Sequence, residues 1–460
     1  MKPHWIAPFL LLAAAAALPG RAPAETVALL HARVVDGSGG APIEDATVVV
    51  DGERIAAVGR AADVAVPAHA KTIDLAGRTI LPGLISDHSH LGMVDGVASG
   101  HGHYTRENVV RQLRQYQRYG VTTVTSLGLN GALFETLRRE AHAGTLPGAD
   151  FFGADRGIGV PGGAPPLDVG ADQIYRPAIP VEARADVDES AARHPDLIKL
   201  WVDDFHGSLP SKMSPDVYRA VIDEAHRKGL RVAAHVYYLD DAKRLVADGV
   251  DVLAHGVRDR AVDDELIAAM KARGTWYVPT LGLDESFYVY AERPAWMRSA
   301  FFRAAVQPAL MAQFDDPEWR AKALAPKARA TNQAALATNL ANLKRLHDAG
   351  VNIGFGTDSG ATPLRIPGFA EHRELALCVQ AGLTPVEAIH LATAQAARLL
   401  ALDDRGLIAP GKRADLLVVA GDPARRIEDV DRIEAVWQRG QRVAGAVASA
   451  TPPRRSRSRR

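Results

Sequence analysis

Short apolar runs recur along this chain, each followed by a segment whose hydrophobic positions have helical spacing. The short runs favour strands and the longer segments favour helices. The runs that predict strands are Thr79–Leu81, Val121–Thr125, Phe151–Phe152, Leu197–Val202, Arg231–His235, Asp251–His255, Trp276–Pro279 and Asn352–Gly356. This alternation over residues 81–405 predicts an α/β fold, a (β/α)8 TIM-like barrel with insertions. A doubly wound open sheet is the alternative, but it would keep the first and last strands apart.

Capping residues mark the predicted helices between these strands. Thr105 and Gly120 bracket one helix, and Ser214 stands before the first turn of another. Thr384 and Glu387 have the spacing of a capping box. These signals support the alternation of strands and helices.

Both ends of the chain have a pattern of short strands and turns. Residues 25–80 contain several apolar runs, and Asp51-Gly52 between two of them is a strong hairpin signal. Residues 406–446 contain further runs of the same kind. Neither segment has enough strands to close a core alone. We therefore predict that the two segments pair into one small β-sandwich domain.

Two segments fall outside this scheme. Residues 284–330 are aromatic-rich and too long for an ordinary connection. They predict a lid over the barrel mouth or, as the alternative, a packed surface insertion. Residues 447–460 are rich in proline, serine and arginine, which predicts a disordered tail.

Residues 1–24 have the pattern of a cleavable signal peptide. Lys2 supplies a basic start, Ile6–Leu18 is apolar, and Ala22-Pro23-Ala24 is a small-x-small cleavage site. An uncleaved anchor is the alternative, but the apolar stretch is short for a bilayer crossing. We expect a secreted or periplasmic protein without membrane contact after the signal is removed.

Charge and cysteine content narrow the classes of partner. The chain has 54 basic and 54 acidic residues, but seven basic residues lie in the leader and the last ten positions. The remaining body has 47 basic and 54 acidic residues, which argues against a nucleic-acid partner. Cys378, the only cysteine, lies in a helical apolar pattern and is expected in the core. We expect a small-molecule substrate, and a homo-oligomer stays open.

Four histidines and one aspartate stand at the ends of predicted strands. His88 and His90 are two positions apart, so an extended strand directs both imidazoles to one face. His235 and His255 end successive strands, and Asp358 follows a glycine-rich strand. Each residue alone would be ordinary as a core histidine or a turn cap. Together they form a set that suits a pair of divalent metal ions.

Lys199 lies among apolar residues inside a predicted strand. Burial of an ammonium group is costly, so this placement is unusual. Carboxylation by CO₂ would convert the amine to an anionic carbamate able to bridge two cations. The alternative is a lysine that reaches solvent or pairs with Asp203 or Asp204. We favour the bridging role.

Two segments resemble the signatures of a known family, the amidohydrolase superfamily. Leu81–His90 is similar to its opening signature. A second group of residues is similar to the closing signature of the family, namely Arg398–Leu402, Gly406, Ile408, Pro410–Lys412 and Ala414–Leu416. The branch that the chain resembles most is the imidazolonepropionase-like and prolidase-like group of exported hydrolases. One departure is Ser86, where the family usually has aspartate, although Asp87 is adjacent.

The resemblance implies a catalytic centre and a reaction. It implies two divalent ions, expected to be zinc, held by His88, His90, carboxylated Lys199, His235, His255 and Asp358. Asp358 would take a proton from the attacking water and pass it to the leaving group. Tyr237 and Tyr238 are candidates for substrate binding, with packing an equal alternative. We expect hydrolysis of a carbon–nitrogen bond in a dipeptide or an N-acyl amino acid.

Two other functions stay open. A cyclic amide or lactone hydrolase, or a ring deaminase, would fit a mononuclear site built from some of these ligands. A binding protein that kept the barrel without catalysis would be expected to have lost ligands, whereas all six positions are filled.

Overall fold

The computed structural model describes residues 25–205 and 207–447. The predicted signal peptide, and the predicted tail beyond Val447, lie outside these residues. The strands are β1 (Thr26–Val34), β2 (Ile43–Asp51), β3 (Arg54–Arg60), β4 (Lys71–Asp74), β5 (Arg78–Pro82), β6 (Leu84–Ser89), β7 (Val94–Asp95), β8 (Ala98–Ser99), β9 (Val121–Leu127), β10 (Asp150–Ala154), β11 (Ile198–Trp201), β12 (Val232–His235), β13 (Val252–Ala254), β14 (Trp276–Val278), β15 (Asn352–Ile353), β16 (Leu416–Ala420), β17 (Ile433–Gln438) and β18 (Gln441–Gly445).

Helices connect most of the strands between β8 and β16. The α-helices are α1 (Arg106–Arg118), α2 (Phe134–His142), α3 (Pro180–Ala191), α4 (Pro215–Arg227), α5 (Leu239–Ala247), α6 (Asp264–Arg273), α7 (Gly282–Glu285), α8 (Val289–Glu292), α9 (Ala300–Ala305), α10 (Pro308–Asp315), α11 (Pro317–Ala323), α12 (Pro326–Asp348), α13 (Phe369–Gln380), α14 (Pro385–His390) and α15 (Ala396–Leu399). Across the described ranges, none of the helices has the length and hydrophobicity needed to cross a membrane.

Strands from both ends of the chain form one sheet. Its order is β18-β17-β16-β5-β1-β2-β3, with β4 also paired to β1. In the antiparallel pair of β5 with β16, Leu81 lies opposite Leu417. Strand β1 has register shifts around His31, whose φ is 58°, so β4 pairs with its first half and β5 with its second half. The first and last parts of the described chain therefore share one core.

The strands between them form two parallel sheets. One sheet has the order β10-β9-β6, and the other runs from β11 to β15 in chain order. Isolated bridges link them at both seams, Ala154 to Leu197 and Ser89 to Ser359. The α/β class is confirmed, and a closed eight-stranded barrel stays a prediction.

Helix α1 confirms the helix predicted after Thr105. The Thr105 hydroxyl accepts a hydrogen bond from the Asn108 N–H at 3.2 Å, which satisfies one of the unpaired donors of the first turn. Val109, Leu113 and Tyr116 are completely buried, so the helix covers the parallel strands with one apolar face.

Most of the 284–330 insertion is packed as an aromatic cluster. Tyr290 stacks on Phe314 at 4.5 Å between ring centroids, and Trp296 meets Phe302 at 5.2 Å. Near the start of the insertion, however, Asp284 and Phe287 line the central cavity. The insertion therefore contributes both to the core and to the cavity wall.

Candidate metal centre and substrate cavity

The six residues singled out in the sequence lie in one buried cluster. Five of them lie near or beyond the carboxyl ends of the parallel strands, and Lys199 lies inside β11. All six are buried, and Lys199 and His88 are completely inaccessible to solvent. The ring centroids of His88 and His255 lie 4.5 Å apart, and those of His235 and His255 lie 4.4 Å apart. His90 lies 5.7 Å from His88 on the other side. The four imidazoles thus form a continuous row.

Asp358 closes one end of this row. Its Oδ1 lies 3.0 Å from His90 Nε2 and 3.3 Å from His88 Nε2. One ligand atom each of His88, His255 and Asp358 lies within 4.8 Å of the other two. Such spacing leaves room for a cation among nitrogen and oxygen donors of the kind that zinc-like ions prefer.

Three of the imidazoles are oriented through their second ring nitrogen. His90 Nδ1 lies 3.2 Å from the Gly128 carbonyl, and His255 Nδ1 lies 2.9 Å from the Thr280 hydroxyl. His235 Nε2 lies 3.0 Å from Asp203 Oδ2. Metal-binding histidines usually hold a carboxylate or carbonyl in this way, which fixes the ring and the nitrogen left for the ion.

Several buried donor atoms at the centre lack a partner. Among the described residues, both ring nitrogens of His88, Nδ1 of His235 and Nζ of Lys199 have no hydrogen-bond partner. The ion pair between Lys199 and Asp203 or Asp204, the alternative raised by the sequence, is not formed. Buried polar atoms without partners are costly, so a folded protein rarely keeps them without a function. A divalent cation fits these atoms, because each can act as a ligand once deprotonated.

Burial favours the neutral forms of three of the imidazoles and of the lysine. It lowers the pKa of His88 and His255 well below the usual value, and that of His235 to a smaller degree. Burial also lowers the pKa of Lys199 to about 7, against the opposing effect of Asp358 and Asp203. Neutral imidazole is the form that binds metals, and a neutral amine is the form that reacts with CO₂.

Asp358 is held in the ionised form. Burial acts to raise its pKa, but the Arg365 guanidinium and the hydrogen bond from His90 outweigh burial and hold it well below its usual range. Arg365 is ion-paired with Asp358 Oδ2, the oxygen opposite to the one that faces the imidazoles. The carboxylate is therefore charged, as a cation ligand must be.

The backbone at two ligand positions adopts conformations that are rare for residues other than glycine. The φ angles are 126° at His255 and 58° at Asp358. A Cβ at Gly356 would lie 2.6 Å from the Cβ of His88, so only glycine lets the segment after β15 approach β6 this closely. Strain of this kind concentrates at functional sites, where surrounding structure holds it.

A buried polar network behind the centre was not predicted from sequence. Glu371 Oε1 accepts hydrogen bonds from Thr357 at 2.6 Å, Ser359 at 2.7 Å and Ser86 at 3.2 Å. Asp87 accepts the Phe355 N–H at 2.9 Å. These bonds tie β6 to the segment that carries Asp358. A run of small polar residues in otherwise apolar strands was the available signal.

A cavity of about 220 Å³ opens over the row of imidazoles. Its lining residues are His90, Leu129, Pro165, Leu167, Trp201, Asp203, Phe205, Ser208, His235, Tyr237, His255, Arg258, Leu283, Asp284, Phe287, Asn332, Asp358, Ala361 and Arg365. Of the two tyrosines considered for substrate binding, Tyr237 lines the cavity. The Tyr238 hydroxyl instead donates to Asp204 at 3.0 Å, and Lys212 Nζ lies 3.9 Å from its ring centroid.

Known proteins resemble this chain in sequence and in structure. The model of the amidohydrolase family matches residues 79–443. An uncharacterized protein of Mycobacterium tuberculosis is 30% identical over 362 residues, which cover 75% of this chain and 80% of the relative. An imidazolonepropionase of Streptomyces griseus is 26% identical over 439 residues, 87% and 93% of the two chains.

Solved structures share the fold. The crystal structure of a Xaa-Pro dipeptidase with methionine bound in its active site superposes with a TM-score of 0.72. The match covers 92% of this chain and 100% of the other at 24% identity. At that identity the likeness concerns the fold alone.

Proposed function

We propose that this chain, which belongs to the amidohydrolase family, cleaves the amide bond of a dipeptide or an N-acyl amino acid. The family and its imidazolonepropionase relatives make it a metal-dependent hydrolase acting on carbon–nitrogen bonds. The finer proposal is carried by one observation. His90, His235, His255 and Asp358 line a cavity sized for a small substrate, and the same buried cluster contains unpartnered ligand atoms of His88, Lys199 and His235.

We assign the ligand roles from the row of side chains. His88, His90 and Asp358 would hold one ion, and His235 and His255 the other. Two divalent ions, expected to be zinc, would supply a water of lowered pKa and polarise the scissile carbonyl. Carboxylated Lys199 would supply the shared anion that offsets the repulsion between them. The mononuclear alternative would use part of the same set.

Carboxylation of Lys199 needs no enzyme. The lone pair of neutral Nζ attacks the carbon of CO₂, a carbon–nitrogen bond forms, and one C=O electron pair moves to oxygen. The Nζ proton then leaves to solvent, which gives the anionic carbamate. The pKa of about 7 supports this step, because about half of the amine is neutral at pH 7 in the metal-free site.

Asp358 is the residue we assign to proton transfer. Its Oδ1 faces the imidazoles of His88 and His90, and its Oδ2 is ion-paired with Arg365. The carboxylate would take the proton of the attacking water and release it to the departing amine nitrogen. Arg365 beside Oδ2 stabilises the charged carboxylate before that proton arrives.

The wider architecture completes the proposal. We infer that the parallel strands close into a (β/α)8 barrel, since bridges are present at both seams between the two sheets. Residues 25–80 and 406–446 would form the second domain, and residues 1–24 would direct export. The strand pairing of β5 with β16 supports the two-segment domain.

Metal content and a substrate panel test the proposal together. Purified protein is analysed for bound metal and assayed against dipeptides, N-acyl amino acids, cyclic amides, lactones and ring amines. We expect about two ions per chain, turnover of the first two classes, and loss of activity on chelation that added metal restores. One ion with turnover of ring substrates would favour the mononuclear alternative. If the purified protein contained no metal and turned over none of these substrates, the non-catalytic binding protein would be the remaining interpretation.

A further inference from the structure

Arg258 is a buried cation in the wall of the cavity. It lies in the segment after β13, three positions beyond His255, and is only 4% exposed. Its backbone N–H donates to the Tyr237 carbonyl at 3.0 Å, and its Cζ lies 5.2 Å from the Tyr237 ring centroid. The side chain is thus held against the cavity by a neighbouring strand end.

The guanidinium has hydrogen-bonding capacity that the described protein atoms do not use. Among the described residues, Nε and Nη1 of Arg258 have no hydrogen-bond partner. The nearest carboxylate is Asp284, whose Oδ2 lies 3.6 Å from Nη1 and is itself without a hydrogen bond in the described chain. At 3.6 Å this contact is an ion pair without a hydrogen bond. A native salt bridge built for stability alone would satisfy these atoms better.

The apolar surroundings of Arg258 make its charge unfavourable unless an anion binds to it. Much of the cavity wall is apolar, with Trp201, Phe205, Leu283 and Phe287 among its members. A cation in such a wall is favourable only when a charged partner and hydrogen bonds compensate for the lost water. The planar guanidinium matches a carboxylate, which it can bind through two parallel hydrogen bonds.

We propose that Arg258 binds the free α-carboxylate of the substrate and so determines specificity. This inference rests on the proposed function and narrows it. The substrate is a dipeptide or N-acyl amino acid with an unblocked C-terminus and an apolar side chain, which the apolar wall receives. The opposite arrangement, in which Asp284 binds a substrate ammonium group, is an outcome that the test separates.

A pair of substrates that differ only in charge provides the test. N-acetyl-L-leucine and N-acetyl-L-leucinamide are compared by acetate release with the metal-loaded enzyme. We expect kcat/KM to favour the free acid about 100-fold, which corresponds to about 2.7 kcal/mol and is reasonable for hydrogen bonds to a charged group. Arg258→Met should lower kcat/KM for the acid about 100-fold, mainly through KM, and leave the amide within about threefold.

Three further variants separate specificity from structure. Arg258→Lys should retain part of the preference for the acid, since it keeps the charge without the planar fork. Asp284→Asn should keep the preference for the acid over the amide. Arg303 is exposed and lies outside the cavity, so the control variant Arg303→Met should resemble the wild type. Equal losses on acid and amide in Arg258→Met, or a preference abolished by Asp284→Asn, would overturn the inference.

A binding measurement separates this inference from the proposed function. Calorimetry with L-leucine and L-leucinamide needs no turnover. If leucine binds better than leucinamide and Arg258→Met removes the difference, the carboxylate site stands even when no amide is hydrolysed. If amides are hydrolysed but neither assay distinguishes acid from amide, the proposed function stands and the role of Arg258 is wrong.

Discussion

Replacement of Lys199 by methionine in the metal-free protein should make the protein more stable at neutral pH. Methionine has nearly the same shape without the charge, and Lys199 Nζ is buried with no hydrogen-bond partner in the described chain. The folded state therefore bears the cost of keeping the amine out of water. Removal of CO₂ from the buffer keeps the side chain in its amine form.

The magnitude follows from the difference between the folded and unfolded pKa of Lys199. The pKa is 10.5 in the unfolded chain and about 7 in the folded protein. The unfolded state then binds more protons between these values, so the free energy of unfolding rises with pH across this window. By linkage, the penalty on the folded state is about 4 kcal/mol at pH 7 and about 1 kcal/mol at pH 10. The stabilisation by Lys199→Met should shrink by about 3 kcal/mol between the two pH values.

Urea unfolding at pH 7 and pH 10 measures this difference. We compare three proteins, the wild type, Lys199→Met and the control Lys271→Met. In the differences between them, the contributions of all other titrating groups to the free energy of unfolding cancel. Lys271 is exposed on α6, so Lys271→Met removes a lysine that is in contact with solvent. If the stability difference between Lys199→Met and wild type were the same at both pH values, Lys199 would not be a buried amine of lowered pKa. The chemical basis for its carboxylation would then be lost.

Three further predictions concern the centre and its supports. Asp358→Asn should lower kcat about 1000-fold without unfolding the protein, as followed by circular dichroism, and a kcat within tenfold of wild type would contradict its role as proton carrier. Asp203→Asn weakens the partner that orients His235 and should reduce metal affinity about 10- to 100-fold in a chelator competition; unchanged affinity would mean that this contact does not support a ligand. Gly356→Ala places a methyl group 2.6 Å from His88 and should cost about 1–3 kcal/mol of stability and reduce bound metal, whereas Gly102→Ala, with open space around it, should do neither. A Gly356→Ala protein with normal melting temperature and metal content would refute this packing argument.

Candidate metal ligands could be predicted from the sequence where residue type and position in a strand together indicate the role. His88 and His90 could be predicted as neighbours because side chains alternate along a strand, and the family model confirms the family to which their segment points. Lys199 was recognisable because a lysine placed among apolar residues is costly to bury unless a function requires it. The metal-dependent hydrolase class is confirmed by the family and its relatives.

Residues that act through long-range contacts were not recognisable. Arg258 has the sequence context of a surface arginine, and its approach to Asp284 depends on where the insertion begins. Glu371 meets Ser86 across 285 positions, a contact that no local pattern encodes. Tyr237 and Tyr238 could not be distinguished, because the chain leaves strand geometry after His235 and the alternation of faces no longer applies.

The pairing of β5 with β16 has a consequence for synthesis. β5 leads through Gly83 directly into β6, the strand that presents His88, yet its neighbour on one side is made more than 300 residues later. A nascent chain that stops short of Leu416 leaves that edge open, with buried Ile80 and Leu81 on it. Open apolar edges invite aggregation, so premature termination anywhere between β6 and β15 should yield insoluble fragments. A shortened version of this enzyme would therefore need a substitute for its last strands.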